Sequence, residues 1–128
     1  MREDTRIAAR ISTKGWGALR PAFEEVHQSL LSADEGVTAE LTTIYVKYKD
    51  GAQPNSPVFA VVWLKTTKRI DIGLALPDES FDVSLMQRPS SLRYPPLNSF
   101  ITISPGDSVP ERFAEWARVA FEYRKTLE

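Results

Sequence analysis

The chain has 128 residues, of which 42% are hydrophobic, 10% aromatic and 26% charged, the proportions of one folded domain with one core rather than of a disordered tail. Sixteen Lys and Arg oppose 17 Asp and Glu for a formal net charge of -1, so the overall basic excess of a nucleic-acid binder is missing and only a local patch is left for that role. With no Cys and one His, disulfides, thiolate zinc sites, thiol nucleophiles and multi-histidine metal centres are excluded, and no cofactor is expected.

The start, Met1-Arg2-Glu3-Asp4-Thr5-Arg6, is charged and lacks the apolar run of a signal peptide. The longest apolar stretch, Val58 to Leu64, falls far short of the roughly 20 residues that cross a bilayer. A cytoplasmic protein without membrane contact is the expectation. Arg2, Arg6, Arg10 and Lys14 recur at helical spacing beside Ile7 and Ile11. Like charges at that spacing repel and the apolar stripe is thin, so residues 1–15 read as a loosely held basic arm on a single domain spanning 1–128.

Trp16, Leu19, Phe23, Val26 and Leu30 then fall three and four apart, the pattern of a helix with one buried face. Pro21 suits only its first turn, which places the start near Leu19 or Arg20 and the end near Ser32. Thr42 to Lys49 alternates, with Ile44, Val46 and Tyr48 on one side and Tyr45, Lys47 and Lys49 on the other, a strand with one drier face. Val58 to Lys65 is apolar on both sides, as in a central strand. Arg69 to Leu76 alternates again, Ile70, Ile72 and Leu74 against Arg69, Asp71 and Gly73. Short connections make these strands an antiparallel meander. Residues 77–97 give no regular pattern beyond a short strand or helical turn around 81–87. Ser99 to Ser104 is a further strand, Pro105-Gly106-Asp107 a turn, and Ser108-x-x-Glu111 has capping-box spacing before a last helix that ends near Lys125. The sum is an α+β fold: a mainly antiparallel sheet of four strands, or five, with N- and C-terminal helices packed on one face.

Candidate chemistry is sparse. His27 lies at the edge of the first helix's apolar face, where a hydrogen-bonded structural histidine is the plain reading and proton transfer the sharper one. Asp71 sits in mid-strand beside Gly73, which leaves room above the sheet. Such a carboxylate needs a partner, and Arg69, Lys47 or Lys65 can supply it across neighbouring strands; otherwise it binds ligand. Tyr45, Lys47, Phe59, Trp63, Lys65 and Arg69 form an aromatic and basic surface if they share a face, the kind on which single strands of nucleic acid stack. Cover by the 77–97 segment or by a second subunit is the alternative. No phosphate-binding loop, dinucleotide fingerprint, zinc-peptidase helix or nucleophile elbow occurs in the chain.

The runs Thr43-Ile44-Tyr45-Val46-Lys47-Tyr48-Lys49, Phe59-Ala60-Val61-Val62 and Lys68-Arg69-Ile70-Asp71-Ile72-Gly73-Leu74 resemble the DUF5655 domain family. In that family a short helix leads into a Thr-x-x-Tyr-x-x-Tyr strand, then a strand carrying Phe near a basic turn, and finally an amphipathic helix. The resemblance spans roughly residues 19–127 and implies an accessory module with no assigned reaction and no catalytic residues to carry over. The expected function is a non-catalytic binding module for a protein or small ligand, with a homodimer as one form it can take and Tyr45, Lys47, Trp63, Lys65, Arg69 and Asp71 as its ligand-binding residues. Binding of single-stranded nucleic acid is the first alternative. A small enzyme using Asp71 with Lys65, Arg69 or His27 is the second.

Overall fold

A computed structural model describes residues 6–11, 16–53, 55–66, 68–77, 97 and 99–126, without the side chains of 65 and 66. The elements in chain order are α1 (Arg6–Ile11), α2 (Arg20–Leu31), β1 (Val37–Leu41), β2 (Tyr45–Asp50), β3 (Val58–Thr66), β4 (Arg69–Leu74), β5 (Ser99–Ile103) and α3 (Phe113–Thr126). The strands form one antiparallel sheet in the order β1-β2-β3-β4-β5. This is the expected α+β architecture with five strands rather than four.

The main core lies on one face of the sheet. Val37, Ala39, Val46, Tyr48, Ala60, Val62, Leu64, Ile70, Ile72, Leu74 and Ile103 point into it, and α1, α2 and α3 close over it. Alternation dictates this sidedness, since a one-residue slip would send every one of these groups to the other face. Helix α2 contributes Phe23, Val26, Leu30 and Leu31, and α3 contributes Phe113, Trp116, Ala117, Ala120 and Phe121. Trp16 is buried on the approach to α2, its carbonyl accepting from the Leu19 and Arg20 amides.

Four expectations change. Residues 42–44 are a loop, not the start of a strand: β1 pairs with β2 from Val37↔Asp50 to Leu41↔Val46, and the Thr42 amide and hydroxyl both bond the Tyr45 carbonyl to close the hairpin. Ile44, expected in the core, sits on that loop and is 37% exposed. The Ser108 capping box does not form. The residue before a proline is disfavoured in helical conformation, so Val109 ahead of Pro110 delays the helix to Phe113, whose amide bonds the Pro110 carbonyl. The N-terminal segment, as far as it is described, is docked and not loose. Ile7 and Ile11 are buried, Arg6 donates to the Leu41 carbonyl, and Arg10 donates to the carbonyls of Thr43 and Leu64. These bonds anchor Arg6 and Arg10 on backbone acceptors and, with the buried isoleucines, outweigh the few tenths of a kcal/mol of like-charge repulsion that argued for fraying.

Residues 1–5, 12–15 and 127–128, with most of 77–97, lie outside the described residues, and with them Arg2, Lys14 and the short element expected around 81–87. Among the described residues no helix is long and apolar enough to cross a membrane.

Candidate functional site

The sheet's second face is built by the residues that alternate with the core. Two rows run across it: Tyr45↔Trp63↔Asp71↔Thr102, then Lys47↔Val61↔Gly73↔Phe100. The rings make a diagonal, with Tyr45 and Trp63 centroids 6.2 Å apart and Trp63 and Phe100 6.1 Å apart. Around them Val61, Trp63, Ala75, Leu97 and Phe100 form a second apolar cluster, with half-buried Tyr45, Val58 and Tyr123 against it.

Gly73 opens no vacant space above this face. A Cβ placed there would meet Phe100 Cε1 and Trp63 Cζ3 at 3.0 Å and Leu97 Cδ1 at 3.1 Å. The missing side chain is the slot that lets these three groups converge on the sheet, so the room expected beside Asp71 is already filled. Leu97 supplies part of that cover from the end of the 77–97 segment.

Phe59 does not join this face. Strands β2 and β3 pair Tyr48 with Ala60 but Lys49 with Val58, so Phe59 is the extra residue of a bulge, which breaks the two-residue period. It turns into the main core and packs edge-on against Phe121 at 5.4 Å. The aromatic surface therefore loses one of its expected rings. Trp63 keeps its place but is only 5% exposed, leaving Tyr45 as the accessible ring of the diagonal.

Two polar groups flank the cluster. The Asp71 carboxylate accepts from Thr102 Oγ1 at 2.6 Å and from Arg69 Nε at 3.2 Å. Its side chain is 6% exposed against 53% for Arg69, so the carboxylate is buried while the guanidinium reaches solvent. Toward the β1 edge, Glu40 Oε1 receives Lys49 Nζ at 3.1 Å and faces Lys47 Nζ at 3.4 Å, while Lys49 also donates to the Gln53 carbonyl. The Lys49 hydrogen bond, helped by the charges of both lysines and opposed by partial burial, holds the Glu40 carboxyl below its ordinary value of 4.5.

Of the six expected site residues, Tyr45, Lys47, Trp63, Arg69 and Asp71 lie on this one face, and the Lys65 side chain lies outside the described residues. They do not converge as a set. Lys47 is taken by Glu40 rather than by Asp71, and Arg69 is the cation that meets the aspartate. Thr102, Phe100 and Glu40 belong to the same face and were absent from the expected set. Alternation along 99–104 already puts Phe100 and Thr102 opposite Ile101 and Ile103, but which strand they adjoin depends on the sheet order.

His27 stands apart, under the helices. Its Nδ1 is 2.7 Å from the Tyr48 hydroxyl, and its ring stacks on Phe23 at 5.4 Å and 18°. It borders a cleft of about 260 Å³ between α1 and α2, whose walls include Ile7, Ile11, Arg20 and Glu24. Arg20 and Glu24 are paired with each other at 3.1 Å. This is the hydrogen-bonded structural histidine. Among the described residues no group of three His, Cys, Asp or Glu is placed to hold a metal ion.

Comparison with family models, with characterised proteins and with solved structures finds no match to this chain. The DUF5655 resemblance rests on the strand motifs alone.

Proposed function

We propose that the chain is a non-catalytic binding module whose contact surface is the second face of the sheet, between Tyr45 and Lys47 on β2 and Arg69 on β4. The observation that carries this reading is the combination of a packed apolar cluster with partly buried Tyr45 and Lys47 and exposed Arg69 at its margins. A rigid apolar floor with a few polar groups at the rim is what a ligand surface needs. The two carboxylates on this face, Glu40 and Asp71, are engaged by cations and a hydroxyl, which suits orientation better than proton transfer. Burial of Trp63 and the turning-in of Phe59 leave Tyr45 as the ring open to a base, so stacking of single-stranded nucleic acid ranks second.

The test is an NMR-monitored titration with small aromatic and aliphatic fragments. Saturable shifts clustered at Tyr45, Lys47 and Trp63, weakened at least fivefold by Tyr45→Ala, are expected. Shifts confined to the cleft between α1 and α2, or none anywhere, overturn the reading. Sedimentation of the free chain tells whether a second copy already occupies the face.

A further inference from the structure

Helices α1 and α2 face each other across the cleft of about 260 Å³ that His27 borders. Helical spacing puts residues 7, 8 and 11 of α1 on one face and residues 20, 23, 24, 27 and 28 of α2 on another, and these two faces are its walls. The inner part is apolar and fixed. Ile7, Ile11 and Phe23 are buried, and the His27 ring stacks on Phe23 at 5.4 Å and 18°. That ring is held in turn by the hydrogen bond between His27 Nδ1 and the Tyr48 hydroxyl, 2.7 Å long. Ala8 lines the cleft with no more than a methyl. The rim is polar, formed by exposed Arg20, Glu24 and Gln28.

Volume and charge define what fits. A dry apolar cavity of about 150 Å³ takes up benzene, so this larger cleft has room for one aromatic ring with a small substituent. Of the described residues that line it, Arg20 and Glu24 are charged, and they neutralise each other at 3.1 Å with side chains 52% and 59% exposed. An ionic ligand would give up hydration in the cleft without gaining a counter-charge of its own. A neutral ring gains apolar contact with the two isoleucines and extends the packing of Phe23 and His27, and ring pairs contribute beyond their buried area. We propose that the α1–α2 cleft binds a small uncharged aromatic molecule, its ring against Ile7, Ile11 and Phe23 and its polar substituent toward the Arg20–Gln28 rim. The site lies among the helices that cover the main core and is independent of the second face of the sheet. Helix α1 has six residues, too few to hold a helix alone, so a ring wedged against it adds to the contacts that keep it ordered.

Phenol, a neutral ring with one hydroxyl, is the probe, titrated into the isotope-labelled full chain with benzoate as its charged counterpart. Saturable shifts of the Ile7 and Ile11 methyls and of the His27 ring are expected, with nuclear Overhauser contacts from phenol to both methyls and slower hydrogen exchange of the α1 amides. Benzoate should bind at least tenfold more weakly. Ala8→Leu, at an exposed position on the cleft wall, should fill the space and lower phenol affinity at least tenfold without lowering the Tm of the free chain. The Overhauser contacts need no variant and decide the question even where Ala8→Leu does not fold. Their absence, full phenol affinity in folded Ala8→Leu, or benzoate binding as tight as phenol overturns the proposal. Shifts at Tyr45 and Trp63 alone remove this site and leave the second face standing; shifts at the cleft alone do the reverse.

Discussion

Replacing Gly73 by Ala tests the packing of the second face most directly. Gly73 is not among the glycines at positive φ, which are Gly51 and Gly106 among the described residues, so its backbone accepts a Cβ without torsional strain. On that ground alone Gly73→Ala would stabilise the fold by about 0.4–1 kcal/mol, through the smaller freedom of the unfolded chain. The added methyl, however, lands 3.0 Å from both Trp63 and Phe100 and 3.1 Å from Leu97. Normal carbon contacts lie near 3.5–4.0 Å, and forcing a methyl into a filled slot costs about 1–3 kcal/mol. Sterics win, with a net loss of about 1–2 kcal/mol once the entropic gain is subtracted. At roughly 2.1 cal/mol/K of unfolding entropy per residue, a chain of 128 residues should lose about 4–7 °C in Tm. Thermal unfolding followed by circular dichroism reads this out, and near-ultraviolet bands report whether Trp63 has moved. An unchanged or higher Tm would mean that the three groups can part freely, and the account of a close-fitted cluster over the sheet would be wrong.

Two further outcomes follow from the polar contacts. Tyr48→Phe keeps the buried ring but removes the hydroxyl beside His27 Nδ1; a loss of about 1 kcal/mol is expected in urea unfolding, and no loss would show the pair to be energetically idle. The Glu40 carboxyl is held below its unfolded value, so its contribution to stability is complete above the ordinary value of 4.5 and disappears as pH falls through the lower folded value. Glu40 is 44% exposed and its pairs are screened by solvent, so the effect is modest: Glu40→Gln should flatten this part of the acid limb of urea midpoint against pH, and a limb of unchanged steepness would refute the link.

Most of the architecture could be read from the amino-acid order because period-two alternation survives in Val46 to Lys49 and Arg69 to Leu74, where each strand has one apolar side. What escaped did so for identifiable reasons. Val37-Thr38-Ala39-Glu40-Leu41 carries the same alternation, but Ala and Glu are weak strand formers and the run directly follows a helix exit, so its signal was masked by its neighbours. The condition that Phe59 share the face of Tyr45 and Lys47 fails because a bulge interrupts the period, and the sequence of one strand does not reveal the extra residue, because the bulge exists only relative to its partner. At the candidate site, Arg69 and Asp71 are two apart on one strand, and their sharing of a face was legible. Thr102, Phe100 and Leu97 come from beyond the 77–96 stretch. Their convergence on Asp71 and Gly73 is a property of the sheet order, which no local pattern specifies.

The strictly sequential strand order has a consequence for assembly. Strands β1 to β4 each meet their partner through a short connection, whereas β5 is joined to β4 through residues 75–98. Closing that longer loop costs about 1 kcal/mol more in chain entropy than closing the β2–β3 connection, and it brings in Phe100 and Thr102 together. A nascent or truncated chain ending before Ser99 thus carries Arg69 and Asp71 without the Thr102 hydroxyl, and Gly73 with Trp63 but without the Phe100 ring that meets it from the other side. The hydrogen-bonded run Thr102–Asp71–Arg69 is complete only once the final strand has paired, so its formation reports that the chain has been made through to the end of the sheet.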